Sequence, residues 1–166
     1  MKALITIIVF CFFYWFCCFL GTGTDKKNLL GLRSYPDSVQ KAVREHPVLG
    51  KEVSKEKSTL SILLGNLILF TVLFSILGLA LKDILCLYNF GSLFLFFFTL
   101  GEGLGLFELI VIDLLWWRNT KRIRFSFLPD KTLYQNAEKH IRSFFRGIPL
   151  FIVVALLSAG IVTVVG

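Results

Sequence analysis

Four long apolar runs leave this chain few ways to fold: Ala3–Leu20, Leu60–Leu81, Phe90–Trp117 and Ile148–Val165. A helix of about 20 mostly apolar residues spans the hydrocarbon core of a bilayer. Hydrocarbon offers backbone amides no hydrogen-bond partners, so runs of this kind fold as helices that satisfy their own backbone. Composition agrees, with 55% hydrophobic and 17% charged residues against roughly 45–50% and about 25% in soluble domains. The expected fold class is an all-α membrane protein. Residues 1–166 form a single four-helix transmembrane domain, with two interfacial amphipathic helices in its basic loops.

The charge is distributed unevenly. Of the 18 Lys and Arg, eight lie in Gly21–Ser58 and eight in Arg118–Arg146, with Lys2 and Lys82 as the remainder. Positive loops stay in the cytoplasm, so both rich loops are expected inside and both chain ends outside. Read as a signal peptide, the first run exceeds the usual apolar core of about 7–15 residues. Cleavage would also export a strongly basic loop, so a retained helix is expected. Basic residues beside greasy spans point to anionic lipid headgroups, not to nucleic acid.

Within the first loop, Ser34-Tyr35-Pro36-Asp37 has capping-box spacing, and Pro47 predicts that the helix it opens ends near His46. Val39, Ala42 and Val43 form its narrow apolar stripe, suited to a membrane surface or a partner. The segment from Lys51 to Lys57 reads as a solvated, mixed-charge lead into the second span. In the second loop, Arg122 to Phe127 alternates with period two, as an extended piece with one apolar face does. Leu133, Ala137, Ile141 and Phe144 place one apolar stripe on a helix over Lys131–Arg146, expected to lie in the interface. Gly147 and Pro149 then turn the chain into the fourth span.

Acids inside a span are costly unless paired, protonated or wetted, and are functional candidates for that reason. The third run holds Glu102, Glu108 and Asp113. At 100° per residue, Glu102 and Asp113 nearly share a face. Counted by depth, Glu108 falls beside Asn66 and Glu102 beside Thr71, so Glu102, Glu108, Asn66 and Thr71 form the expected intramembrane polar site. Asp113 sits near the inner end of the span, where Arg118, Lys121 or Arg122 is expected to pair with it. Trp116 and Trp117 form an aromatic belt there, and Arg124 completes the rim and its headgroup contacts. Gly101 and Gly105 have close-packing spacing, and the helix is expected to be tilted, with an unwound stretch at Gly101–Gly105 a further possibility of the pattern. Thr71, Ser75 and Gly78 give the second span a small-residue face.

Several chemistries find no support. His46 and His140 are the only histidines, and no metal set or cofactor is expected around them. No glycine-rich phosphate loop followed by Lys-Ser/Thr occurs, and the four cysteines imply no disulfide framework. Arg44-Glu45-His46-Pro47 with Gly50 is similar to the Arg-His-Pro element of membrane isoprenylcysteine and phospholipid methyltransferases. The paired glutamates which that family carries near its C-terminus are missing.

Leu32-Arg33-Ser34-Tyr35-Pro36 and the stretch from Asp113 to Arg124, which includes Leu114-Leu115-Trp116-Trp117-Arg118, resemble segments of small uncharacterised multi-pass proteins of Gram-positive-type bacteria, often labelled transporter permeases. The resemblance implies a bacterial plasma membrane and a transport role, and it carries over no active residue. The leading expectation is a non-catalytic transport or membrane-assembly component with an intramembrane acidic site. It would act as a homo-oligomer or beside a partner membrane or ATPase subunit. An expectation of a different class is a membrane-embedded enzyme on lipid headgroups, with the basic rim holding phosphate and Asp113 or Glu108 as base.

Overall fold

The computed structural model describes residues 1–54 and 58–166. Among them every regular element is helical. Four stretches are long and apolar enough to cross a membrane: Lys2–Leu20, Thr59–Leu85, Phe90–Trp117 and Lys131–Val165. Large apolar side chains cover their outer surfaces, as with Phe12 at 65% exposed and Ile68 at 65%. Helices that are apolar on every side belong in a protein core or in lipid. Lys55, Glu56 and Lys57 of the expected mixed-charge lead lie outside the described residues.

The chain groups into two compact units. The first comprises Met1–Phe10, Glu56–Leu106 and Phe145–Gly166. It contains the start of α1 (Lys2–Leu20), α5 (Thr59–Leu85), most of α6 (Phe90–Phe107) and the greater part of α7 (Glu138–Val165). Ser58 opens α5 by accepting from the Ser61 amide. Cys86 closes it in a left-handed conformation (φ 57°), with the Leu87 amide donating back to the Lys82 carbonyl at 2.8 Å. Such a reverse turn meets the orphan carbonyls at a helix end.

The core of this unit joins Phe74, Leu93, Phe97, Leu100, Val154 and Ala159. The small face foreseen on the second span is buried here: Thr71, Ser75 and Gly78 all lie inside. A Cβ on Gly78 would stand 2.5 Å from the Phe97 ring, and one on Gly101 would stand 2.7 Å from Phe151. Both glycines therefore act as close-approach positions.

Helix α6 runs without a break through Gly101–Gly105. The irregularity comes later, where Glu108–Trp117 rewinds into i→i+5 hydrogen bonding as a π-helix. This wider winding carries more residues per turn, so the 100° spacing used to align Glu102 with Asp113 does not extend past Glu108.

The second unit comprises Cys11–Lys55 and Phe107–Phe144. It holds the end of α1, then α2 (Asp25–Leu30), α3 (Asp37–Glu45) and α4 (Leu49–Glu52). The π-helical segment, a 3₁₀ turn over Lys131–Tyr134 and the start of α7 complete it. These loop residues have an aromatic core of their own, built on Tyr35, Val39, Val43, Ile123, Phe125 and Tyr134, each at most 1% exposed. Val39 and Val43 of the α3 stripe are thus spent inside the unit, while Ala42 is half-buried. Helix α3 keeps the expected limits, although Pro36, not Ser34, stands at its N-cap and makes no side-chain cap bond.

The period-two reading of Arg122 to Phe127 holds for burial alone. Ile123 and Phe125 are buried while Arg122, Arg124 and Ser126 are not, yet no strand forms. Lys131–Arg146 is not one interfacial helix. Residues 135–137 interrupt it, and from Glu138 the chain runs as a single helix through Pro149 to Val165. Proline removes one amide donor. Ending the helix in an apolar setting would orphan several backbone groups, so continuing costs less.

Candidate functional site

The buried titratable groups of the second unit converge on one pair. Asp113, on the π-helical end of the third span, places its carboxylate 2.9 Å from His140 Nδ1, in the first turn of α7. The two side chains are 12% and 8% exposed. Trp117 packs edge-on against the imidazole, with ring centroids 5.6 Å apart. Tyr35 lies 4.9 Å from Trp117 on its other flank, so the aromatic core reaches the pair directly. His140 presents Nδ1 to the Asp113 carboxylate, a contact that fixes the orientation of the ring.

A second acid stands close by. Glu108 lies near the Tyr14 hydroxyl and within electrostatic range of both Asp113 and His140. Tyr14 and Cys18 lie one turn apart on α1, and Cys18 is within electrostatic range of Glu108 and Asp113. Two carboxyls, an imidazole, a phenol and a thiol thus form one polar cluster at the ends of apolar helices. Among the described residues, no group of three His, Cys, Asp or Glu side chains is arranged to hold a metal.

The other expected site residues are placed differently. Glu102 is half-buried, and its Oε1 has no hydrogen-bond partner. Thr71 is buried with its hydroxyl unpartnered, while its carbonyl accepts from the Ser158 hydroxyl at 3.2 Å. Asn66 is half-buried. No hydrogen bond joins Glu102, Glu108, Asn66 and Thr71 to one another among the described residues.

The rim also needs correction, because Asp113 pairs with His140 and not with Arg118, Lys121 or Arg122. Arg122 is drawn to the end of α1, where Nη2 donates to the carbonyls of Phe19 (3.0 Å) and Thr22 (2.9 Å). The same guanidinium lies 3.8 Å over the Phe19 ring. Lys27 donates to the Leu20 carbonyl at 2.8 Å. Two cations thus meet the orphan carbonyls and the negative dipole end of α1.

Arg118 gives its carbonyl to Gln135, and Arg124 donates to the Pro129 carbonyl. Trp116 packs edge-on to Trp15 at 6.3 Å, and Trp117 packs against Tyr35 and His140.

Tyr14, Cys18 and His140 are the members sequence reasoning missed. For His140 a signal existed: it lies three residues after Ala137 and four before Phe144, on the apolar side of the helical pattern. A histidine there needs a buried partner. For Tyr14, one aromatic in an aromatic-rich span, no comparable signal was present.

Four apolar helices of spanning length are compatible with an integral membrane protein. Comparisons with protein families, with curated protein sequences and with solved structures return no match.

Proposed function

We propose that this is a small integral plasma-membrane protein, a non-catalytic component of transport or membrane assembly, in which Glu108, Asp113 and His140 form a proton-binding site. The observation carrying this reading is the buried Asp113–His140 contact at 2.9 Å, with Glu108 in electrostatic range. Buried groups of this kind persist where they are paired, and intramembrane acids mark ion and proton paths. Glu102, with Asn66 and Thr71, belongs to the same reading as a second acidic position deeper in the third span.

The charge asymmetry supports cytoplasmic placement of loops 21–58 and 118–147, with both ends outside. Four helices enclose little volume, which supports action as a homo-oligomer or beside a partner membrane or ATPase subunit.

The test is flux in proteoliposomes with an entrapped pH dye. Wild-type protein is expected to move protons or a proton-coupled solute, and Glu108→Gln and His140→Gln to reduce the rate at least tenfold. Equal rates in all three would overturn the reading. A second reading, a membrane-embedded enzyme on lipid headgroups, draws support from the histidine–carboxylate pair lying in the same unit as a basic depression. Lipid turnover lost on Asp113→Asn, with no flux in either form, would select it.

A further inference from the structure

Beyond the proton site, the second unit holds a hollow of different chemistry. An open depression of about 490 Å³ lies between residues 23–26 and 121–126, and Lys26, Lys121, Arg122 and Arg124 line it. Asp25 is the one acid in its wall, and its carboxylate is engaged by the Ser126 amide at 2.9 Å and by the Ser126 hydroxyl.

The two walls are stitched together. The Asn28 amide donates to the Arg122 carbonyl at 3.0 Å, and the buried Tyr35 hydroxyl donates to the Ile123 carbonyl at 2.8 Å. The Arg122 guanidinium is fixed by the α1 carbonyls and lies against Gly23, which is in a positive-φ conformation that leaves room for it (φ +108°). The Nε atoms of Arg122 and Arg124 are buried and have no hydrogen-bond partner in the protein.

We infer that this depression is a binding site for a phosphate monoester, with Arg122 as a fixed cation and Lys26, Lys121 and Arg124 closing on the anion. Lys26 is ion-paired with Glu52 at 4.0 Å, so the four cations meet two carboxylates, Asp25 and Glu52, and a doubly charged phosphate matches the excess that remains. Guanidinium groups recognise phosphate oxygens in pairs, and ammonium groups add mobile point charge. The depression adjoins the terminal carbonyls of α1, a helix of membrane-spanning length. That position presents it to lipid headgroups, while the same chemistry would hold free phosphate. The inference is independent of the proton site, since neither Lys121 nor Arg124 belongs to that cluster.

The test uses the full chain in a neutral detergent, titrated calorimetrically with dihexanoyl phosphatidic acid, inorganic phosphate and dihexanoyl phosphatidylcholine. Phosphatidic acid is expected to saturate one site per chain, and phosphatidylcholine not to saturate. The double variant Lys121→Gln with Arg124→Gln is expected to weaken binding about tenfold or more, since each removes a charge-assisted contact. Lys41→Gln, on the exposed face of α3, should leave binding unchanged.

Inorganic phosphate binding as tightly as the lipid identifies free phosphate as the ligand, and binding at least tenfold weaker identifies the headgroup. Absence of saturable binding by either phosphate, or an unchanged double variant, overturns the inference. Lys26→Gln, at a largely exposed side chain, gives the same reading should the double variant fail to fold.

Discussion

Asp113 and His140 meet at 2.9 Å with both side chains withdrawn from solvent, one from the end of the third span and one from the first turn of the last. Groups in direct contact do not contribute independently to stability. Asp113→Ala and His140→Ala should each lower the unfolding midpoint. The double variant should fall short of their sum by about 0.5–3 kcal/mol. Unfolding of all four proteins in one detergent gives the cycle, and additive losses would show that the contact carries no coupling.

Arg122 holds the end of α1 from a distance of about 100 positions along the chain. Arg122→Ala should cost about 1.5–3 kcal/mol, the range for hydrogen bonds to a charged group. Arg122→Lys should recover only part of this, because an ammonium lacks the planar fork. Gly23→Ala should be harmful in the wild type, since its Cβ would come within 2.7 Å of Nη2 at a φ of +108°. In the Arg122→Ala background only the backbone strain remains, so its further cost should shrink. Thermal unfolding, with proteolysis after Lys26 and Lys27, checks the series.

Tyr35 is buried and donates to the Ile123 carbonyl, and burial, with Tyr134 and Asp25 nearby, pushes its phenol above the ordinary tyrosine range. A raised phenol favours the folded state while neutral. Its contribution is therefore full below the unfolded value of about 10 and is lost as pH rises from there toward the folded value. Tyr35→Phe should cost about 1–3 kcal/mol at neutral pH, because it strands a buried carbonyl. It should also flatten the fall in melting temperature between about pH 10 and pH 12. An unchanged alkaline slope would argue that another group controls it.

Gly101 faces the Phe151 ring so closely that a methyl group cannot be added without movement. Gly101→Val should cost about 1–3 kcal/mol by overpacking. Phe151→Ala added to it should restore part of the loss while being harmful alone. That reversal of sign, read from unfolding in detergent, separates a packing contact from a general weakness of glycine replacement.

The spans were legible because hydrocarbon leaves backbone groups no alternative to helix, so length and apolarity fix element type in Leu60–Leu81 as in Phe90–Trp117. The end of α3 followed from Pro47, a local rule that tertiary structure did not override, whereas its start lies at Pro36 and not at the Ser34 cap that the capping-box spacing suggested. What stayed hidden depended on long-range pairing. The apolar residues Val39, Val43, Ile123 and Phe125 read as surface stripes when taken loop by loop. They become a core once the two loops fold together. The cations nearest Asp113 in sequence do not pair with it: Arg122 is held by the α1 carbonyls, and His140, from the first turn of α7, stands in their place. The change of winding from Glu108 had no sequence marker, since Gly101, Gly103 and Gly105 lie inside regular helix.

All three indoles of the chain, Trp15, Trp116 and Trp117, lie in the second unit. Ultraviolet emission excited at the red edge of the protein band therefore reports on that unit alone, while far-ultraviolet dichroism is dominated by the long helices. A denaturant series followed by both signals resolves, without any label, whether the loop core and the apolar bundle melt in one step or in two.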